Sequence, residues 1–271
     1  MIRNNLFIAT ILVCVLGAPM AAEAQLTPSS DNPIEIEADN AIEWLRDQSQ
    51  YIARGNAIAS QGDYSVKADA LIADYKETEA GKTEVWRFTA DKNVVIKTGE
   101  YTAYGDKVVH DVKNEKTVMT GKVMKIESGS DYLTARDQII FWGLENKAKA
   151  MGRPKARQNN KIVESDEMTA YFKKNKTGKL ELKEVHANGD VIIVTPLEVL
   201  RGEKAVYTLE TGKARLTGNV RITRGSNQLN GEEVILDTVA GTSTIKTKEN
   251  DTDPVTGEKK RVRGLFSLQS E

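Results

Sequence analysis

Carboxylates recur along this chain at a nearly constant distance from short turns, and their spacing could support chemistry. Each acid follows a turn residue by 14 positions, as Asp69 follows Gly55, except for one pair that is 16 positions apart. The turn residues are Gly55, Lys92, Gly121, Gly152, Gly189 and Gly218, and the acids are Asp69, Asp106, Asp137, Asp166, Glu203 and Glu232. Clustered carboxylates could supply the acid and base of a polysaccharide-cleaving enzyme. Their recurrence in every unit instead favours a structural role in turns.

Other residues able to carry chemistry are few. The chain has two histidines, His110 and His186, too few for most zinc sites, and a structural interpretation is favoured for both. Cys14 lies in the N-terminal apolar run, so a chain cleaved after Ala24 has no thiol. The acidic stretch 251–258 lacks the remaining ligands of a calcium loop. No serine-hydrolase, P-loop or zinc-protease motif occurs. The sequence therefore predicts no catalytic residue, cofactor or metal.

The N-terminus has the pattern of a secretory signal. Arg3 precedes the apolar run Leu6–Leu16, and Ala22-Glu23-Ala24 fits a signal-peptidase site. We therefore predict a signal peptide over 1–24 and a leader over 25–33. Charges nearly cancel, with 38 basic and 39 acidic residues, so nothing argues for nucleic acid as a partner.

Evenly spaced apolar residues around each acid predict β-strands. The residue two positions after each acid is always apolar, and apolar residues recur two and four positions after most turn residues. This spacing places Val94 and Ile96 inside in the second unit, and Val123 and Lys125 in the third. Two strands per unit predict roughly 13 to 16 antiparallel strands. Pro154 predicts a bulge or an irregular strand in the fourth unit.

The units are themselves duplicated, since each of the first three turn residues lies 97 positions before one of the last three. A fixed period of this kind indicates a stacked fold that grows in one direction. We predict an all-β domain of about six repeat units over 34–247, followed by a flexible polar tail over 248–271. Within this tail the apolar stretch 264–268 could add a last strand or dock on a partner.

The predicted interior mixes small and large apolar side chains. Their sizes leave open a dry core or a groove for an apolar ligand. Aromatic residues make up only 6% of the chain, so the lining is mostly aliphatic. An aliphatic lining suits acyl chains better than sugars or bases, which prefer stacking surfaces.

Several short motifs carry a family resemblance. They are 32–39 (NPIEIEAD), 53–57 (ARGNA), 66–69 (VKAD) and 216–220 (LTGNV). With the signal peptide, they resemble the LptA/OstA family of periplasmic lipopolysaccharide-transport bridge proteins of Gram-negative bacteria. The resemblance implies an elongated, twisted, open β-jellyroll of stacked antiparallel strands in the periplasm, whose apolar interior carries the acyl chains of lipid A. It also implies edge strands that pair with inner-membrane LptC-like and outer-membrane LptD-like jellyrolls, and head-to-tail self-association.

The family motif and the inward alternation together predict lipid-binding residues. They are Ile34, Ile36, Val66, Ile96, Val108, His110, Val112 and Phe141. His110 stands where the family often has an aromatic residue. The predicted function is a non-enzymatic carrier that moves lipopolysaccharide from the inner to the outer membrane for outer-membrane assembly. The alternatives are the N-terminal jellyroll of an outer-membrane translocon, a polysaccharide-acting β-helix enzyme and a structural β-repeat protein.

Overall fold

The structure is a computed structural model that describes residues 34–78, 81–99, 101–176, 178, 180–247, 252 and 261–266. The predicted signal peptide and leader lie outside these residues. One short 3-10 helix, Arg46–Gln48, occurs in the described part of the chain. The strands are β1 (Glu35–Glu37), β2 (Ala41–Leu45), β3 (Gln50–Gln61), β4 (Tyr64–Glu77), β5 (Thr83–Thr98), β6 (Tyr101–Asp111), β7 (Lys116–Thr120), β8 (Met124–Ser128), β9 (Asp131–Ala135), β10 (Gln138–Trp142), β11 (Lys147–Met151), β12 (Lys155–Gln158), β13 (Lys161–Glu164), β14 (Glu167–Lys174), β15 (Leu180–Val194), β16 (Val199–Thr208), β17 (Lys213–Arg224), β18 (Asn227–Asp237), β19 (Thr242–Lys246) and β20 (Arg263–Leu265).

Neighbouring strands pair antiparallel in one continuous ladder. The long strands β3 to β6 and β15 to β18 span its full width. Elsewhere two shorter strands lie end to end at one position of the ladder, as β9 and β10 do beside β8 and β7. Each position of the ladder therefore holds two strand halves, and the backbone bends at a corner between them. The ladder begins with β1 and β2 and ends with β19 and β20, and no pairing between described residues joins these two ends. The predicted all-β jellyroll of stacked antiparallel strands is confirmed.

The corners divide the ladder into two walls that enclose one apolar core. The first wall consists of the strand halves in line with β2, β7, β10, β11, β14 and β19. The second wall consists of those in line with β1, β8, β9, β12, β13 and β20. Met119 of the first wall and Ile126 of the second belong to the same cluster of buried residues. Near the corner the walls approach closely, because a Cβ atom on Gly105 would lie 2.9 Å from Met119 Cγ.

The corners account for the recurring carboxylates. In five of the six repeat units two consecutive corner residues have positive φ, as Gly218 (84°) and Asn219 (47°) do. The acids lie against the corner of a neighbouring strand. Asn219 Nδ2 donates to Glu203 Oε1 at 2.8 Å, and Asn93 Nδ2 donates to both carboxylate oxygens of Asp69 at 3.0 and 3.1 Å. The carboxylates of Asp69, Asp106 and Glu203 thus accept hydrogen bonds from corner amides, which is the structural role that the recurrence of the acids predicts.

The third unit is where the predicted alternation is wrong. The sequence pattern places Val123 and Lys125 inside, but the structure buries Met124 and Ile126 completely or nearly so and leaves Val123 64% exposed. Residues 121–123 form an irregular corner between β7 and β8, so the strand resumes one residue later than in the other units. Because side chains alternate with a period of two, this single step exchanges the inward and outward faces.

This shifted alternation predicts opposite effects at two adjacent residues. We expect Met124→Ala to lower the free energy of unfolding by about 2–5 kcal/mol, because it empties a fully buried site. Val123→Ala should change it by less than about 0.5 kcal/mol, as is usual for an exposed position. Urea unfolding followed by circular dichroism measures both. A larger loss for Val123→Ala than for Met124→Ala would restore the alternation that the sequence predicted.

Pro154 interrupts the fourth unit, as its missing backbone N–H predicts. It lies between β11 and β12, its side chain is buried, and β12 begins at the next residue, Lys155. The corner before it is formed by Gly152 and Arg153, both with positive φ. The expected irregularity is therefore a corner rather than a defect within a strand.

The end of the chain differs from the predicted polar tail. The three residues of β20 pair antiparallel with β18, where Leu265, Gly264 and Arg263 face 228–230. The sequence predicts a flexible polar tail over 248–271, with the alternative that 264–268 add a last strand. The structure follows this alternative, because β20 supplies a last strand half. Pairing satisfies backbone groups that the outer edge of β18 would otherwise leave free. Apart from residues 252 and 261–266, the tail lies outside the described residues.

Candidate functional site

The inner faces of the two walls carry apolar side chains in continuous rows that cross every strand of the ladder. Row A runs along the second wall through Ile36, Ala59, Val66, Ile96, Ala103, Ile126, Leu133, Ala156, Val163, Ile193, Leu200, Ile222, Leu229 and Gly264. Row B runs along the first wall through Ile42, Ala53, Leu71, Ala90, Val108, Met119, Ile139, Ala150, Met168, Ala187, Ala205, Leu216, Val234 and Ile245. Both rows are uninterrupted by any polar side chain.

A third row lies beside row B and is less uniform. Row C contains Trp44, Tyr51, Ala73, Phe88, His110, Thr117, Phe141, Ala148, Ala170, Val185, Tyr207, Ala214, Leu236 and Ser243. It begins with aromatic side chains and includes the polar pair His110 and Thr117. Any ligand lying between the walls would therefore contact aliphatic groups on rows A and B and a mixed surface on row C.

Exposure of the rows decreases from the N-terminal end towards the middle. At the first strands Ile36 is 49% exposed, Ile42 59% and Trp44 51%. Val66 and Leu71 are half-buried on the next strands. From β7 and β8 onward the row residues are buried until the last strands. The walls therefore leave apolar surface accessible at the N-terminal end and pack tightly beyond it.

An aromatic group lines this accessible end. The Trp44 and Tyr51 rings stack with centroids 5.6 Å apart, and the Tyr51 and Tyr75 centroids are 4.9 Å apart. Trp44 Nε1 donates a hydrogen bond to the Tyr75 hydroxyl at 2.7 Å. The Arg46 guanidinium lies 4.3 Å from the Trp44 ring centroid. The N-terminal end thus combines apolar rings with a cation at its rim, an arrangement that suits a ligand with an apolar body and an anionic head.

The opposite end of the interior is closed by a polar contact between the walls. Glu198, in the turn before β16 on the second wall, accepts a hydrogen bond from Ser243 Oγ of the first wall at 2.8 Å. Its other carboxylate oxygen accepts from Arg224 Nη2 at 2.9 Å. Glu198 is buried despite its charge, and both of its oxygens are paired. This contact holds the walls together where rows A to C approach their C-terminal end.

His110 and Thr117 are the polar side chains of row C near its middle. His110 Nδ1 lies 2.9 Å from Thr117 Oγ1, and both residues are buried. Burial lowers the pKa of His110 to about 4, against a smaller opposing effect of the Asp111 carboxylate. The imidazole is therefore neutral at pH 7. His110 Nε2 is buried and has no hydrogen-bond partner.

The structure brings six of the predicted site residues together on the rows. Ile36, Val66 and Ile96 lie on row A, Val108 on row B, and His110 and Phe141 on row C. Ile34 precedes β1 and is exposed, so it stands outside the ladder. Val112 lies in the turn after β6, where its backbone N–H donates to the Trp86 carbonyl at 3.0 Å.

Sequence reasoning missed two inner residues at the accessible end. Ile42 and Trp44 of β2 face the same interior as the predicted residues. Their signal was the spacing of Ile42 and Trp44 two positions apart on either side of Glu43, in a segment that lies before the first repeated turn. The repeat pattern started at Gly55 and therefore left β2 out.

The described residues contain no group of acidic, histidine or cysteine side chains that could hold a metal ion. They also contain no helix with the length and apolar character needed to cross a membrane.

A family model matches most of the chain in two consecutive segments. The chain belongs to the family described as LptA/(LptD N-terminal domain) LPS transport proteins, whose model matches residues 35–142 and again 143–242. The two matches follow one another as the two copies of the duplication do. The predicted LptA/OstA-like resemblance is thereby confirmed.

The chain is also similar to two other proteins. An uncharacterized protein of Rhizobium meliloti (strain 1021) is 26% identical over 138 residues, covering 45% of this chain and 74% of that protein. The crystal structure of LptH, the LptA homologous periplasmic component of the lipopolysaccharide transport device of Pseudomonas aeruginosa, is 11% identical. It covers 88% of this chain and 96% of LptH, with a TM-score of 0.22.

Proposed function

We propose that this protein is a non-enzymatic periplasmic carrier that binds lipopolysaccharide and bridges the inner and outer membranes during outer-membrane assembly. Rows A and B carry the proposal, because they form an unbroken apolar lining whose side chains are accessible at the N-terminal end. Burying the acyl chains of lipid A against these rows removes apolar surface from water, which stabilises the complex by about 25 cal/mol per Å². Membership of a lipopolysaccharide-transport family supports the identity of the ligand.

Lipid would enter at the N-terminal end, where the rows are exposed. Ile36 and Ile42 lie on opposite walls of this end, each with an open apolar surface. A ligand seated between them would continue along Val66 and Ile96 of row A. The predicted contacts Ile36, Val66, Ile96, Val108, His110 and Phe141 thus form a path from the accessible end into the packed interior.

The two ends of the ladder would connect the protein to its partners. β1 and β2 at one end, and β19 and β20 at the other, each have a partner strand on one side among the described residues. Free strand edges pair readily with a strand from another chain. We propose that inner-membrane LptC-like and outer-membrane LptD-like jellyrolls, and further copies of this chain, dock on these edges.

Lipid extraction tests the carrier function. The full chain, produced with its own N-terminal segment in a Gram-negative host, should be recovered from the periplasm and should release lipid A on organic extraction, as detected by mass spectrometry. An unrelated exported β protein of similar size, purified in parallel, provides the control. A lipid-free protein that also fails to bind added lipopolysaccharide would refute the proposal.

A further inference from the structure

A single polar pair interrupts the apolar lining of row C at the point where the interior closes. Along row C, Ala73 and Phe88 are partly exposed, whereas His110 and Thr117 are the first consecutive buried pair. His110 is only 6% exposed, yet its Nε2 atom has no hydrogen-bond partner. A buried polar atom without a partner is unusual in proteins and calls for a specific explanation.

We propose that His110 Nε2 binds an oxygen of an acyl chain, and that the preferred ligand group is the hydroxyl of a hydroxylated acyl chain. The inference rests on the proposed lipid-carrier function and adds to it a specific polar contact. It assigns His110 as a specificity-determining residue and Thr117 as the residue that positions it. The remaining length of the acyl chain would lie against the aliphatic residues of rows A and B.

The chemistry of the pair favours a hydroxyl over other oxygen groups. The imidazole is neutral, so one of its nitrogens carries a proton and the other accepts. If Thr117 Oγ1 donates to Nδ1, then Nε2 is a donor, and if Nδ1 donates to Thr117 Oγ1, then Nε2 is an acceptor. A hydroxyl can complete the hydrogen bond in both cases, because it both donates and accepts, whereas an ester carbonyl can only accept.

The internal duplication shows that the polar pair is not required by the fold. A shift of 97 residues takes His110 to Tyr207 and Thr117 to Ala214, which are also cross-strand neighbours on row C. Tyr207 and Ala214 are buried in the same way. The same position in the second copy is therefore filled without a histidine or a threonine, so packing alone does not explain the pair in the first copy.

The test compares tetradecanoate with 3-hydroxytetradecanoate on the full chain at pH 7. We expect the hydroxylated acid to bind roughly 10-fold more tightly, as one additional buried hydrogen bond allows. His110→Phe should reduce this ratio to about 1, because phenylalanine offers the hydroxyl no hydrogen-bond partner. Thr117→Val should also lower the ratio, and Tyr207→Phe should leave it at the wild-type value. An unchanged ratio in His110→Phe, or no preference in the wild type, would overturn the proposal.

A direct measurement avoids reliance on variants that fail to fold. The chain has only two histidines, so nitrogen NMR resolves His110 and uses His186 as an internal reference. The Nε2 resonance of His110 should shift with 3-hydroxytetradecanoate and not with tetradecanoate, while His186 stays constant. Lipopolysaccharide in a third sample shows whether the hydroxyl is recognised in a glycolipid as well as in a free acid.

The outcomes separate this inference from the carrier function. If lipopolysaccharide binds but the His110 resonance responds to neither the glycolipid nor the hydroxylated acid, the carrier function stands and the polar contact is wrong. If neither lipopolysaccharide nor either fatty acid binds, both proposals fail. A response of His110 to the hydroxylated acid alone supports the contact and identifies the free acid as its source.

Discussion

An aspartate in place of Ile96 is expected to lower lipopolysaccharide capture by at least about 100-fold, because a carboxylate among acyl chains loses its hydration without gaining a partner. Ile96 lies in row A between Val66 and Ala103, and its side chain is buried. A photoreactive residue introduced at Val66 reports the contact, since Val66 is its cross-strand neighbour. Crosslinking to lipopolysaccharide from this position should disappear in the Ile96→Asp variant.

Two further variants make this result specific to the interior. Val95→Asp places the same charge one residue away, on the outer face beside Lys67 and Tyr104, and should preserve crosslinking. Ile36→Asp places it at the half-exposed start of row A, where the folded state tolerates a charge, and should reduce capture without unfolding the protein. Undiminished crosslinking in folded Ile96→Asp and Ile36→Asp proteins would exclude row A as the lipid path.

The sequence was sufficient to predict the repeating architecture because the corners impose strict local rules. A glycine followed by an asparagine or aspartate recurs where two residues must adopt positive φ, and an acid recurs where their amides need an acceptor. These requirements are local, so they leave a constant spacing such as that between Gly218 and Glu232. The turn role of the acids could therefore be inferred without coordinates.

The errors arose where one residue changed the alternation or where no repeat was present. The irregular corner at 121–123 places Met124 inside and Val123 outside. The spacing of 16 positions between turn and acid in this unit indicates a shift of the alternation, but it does not show at which residue the shift occurs. The β2 strand was missed because it precedes the first repeated turn. The hydrogen bond between Glu198 and Ser243, which holds the two walls together, joins residues 45 positions apart. No local sequence pattern connects two residues at that distance.

The state of His110 also could not be derived from the sequence. Its inward position followed from the alternation, and the structure buries it on row C as that alternation requires. Its pairing with Thr117, and the absence of a partner at Nε2, depend on the register between β6 and β7. Register is a tertiary property, because the same two strands shifted by one residue would turn each side chain to the opposite face.

Removal of residues 248–271 should convert concentration-dependent head-to-tail rods into monomers while leaving the protein folded. β19 and β20 together form the last strand position of the ladder, with β19 on the first wall and β20 on the second. A partner jellyroll that also has two walls must pair with the outer edges of β19 and β20 at once. The two edges must therefore lie at the same strand position of the ladder. Without β20, the second-wall edge recedes by one strand to β18, and the two edges no longer form a continuous template.

The fold should tolerate this truncation because β20 contributes little burial. Its three residues are exposed, and Leu265 remains 66% accessible, so the free energy of unfolding should fall by less than about 1 kcal/mol. A chain that ends after Phe266 retains β20 and is the matched control, which should still form rods in sedimentation velocity experiments. Because head-to-tail contacts between opposite ends do not close, the rods should lengthen with concentration rather than stop at a dimer. Rods that persist after truncation would place the docking edge on β18 or β19 alone, and an unfolded product would make β20 an integral part of the core.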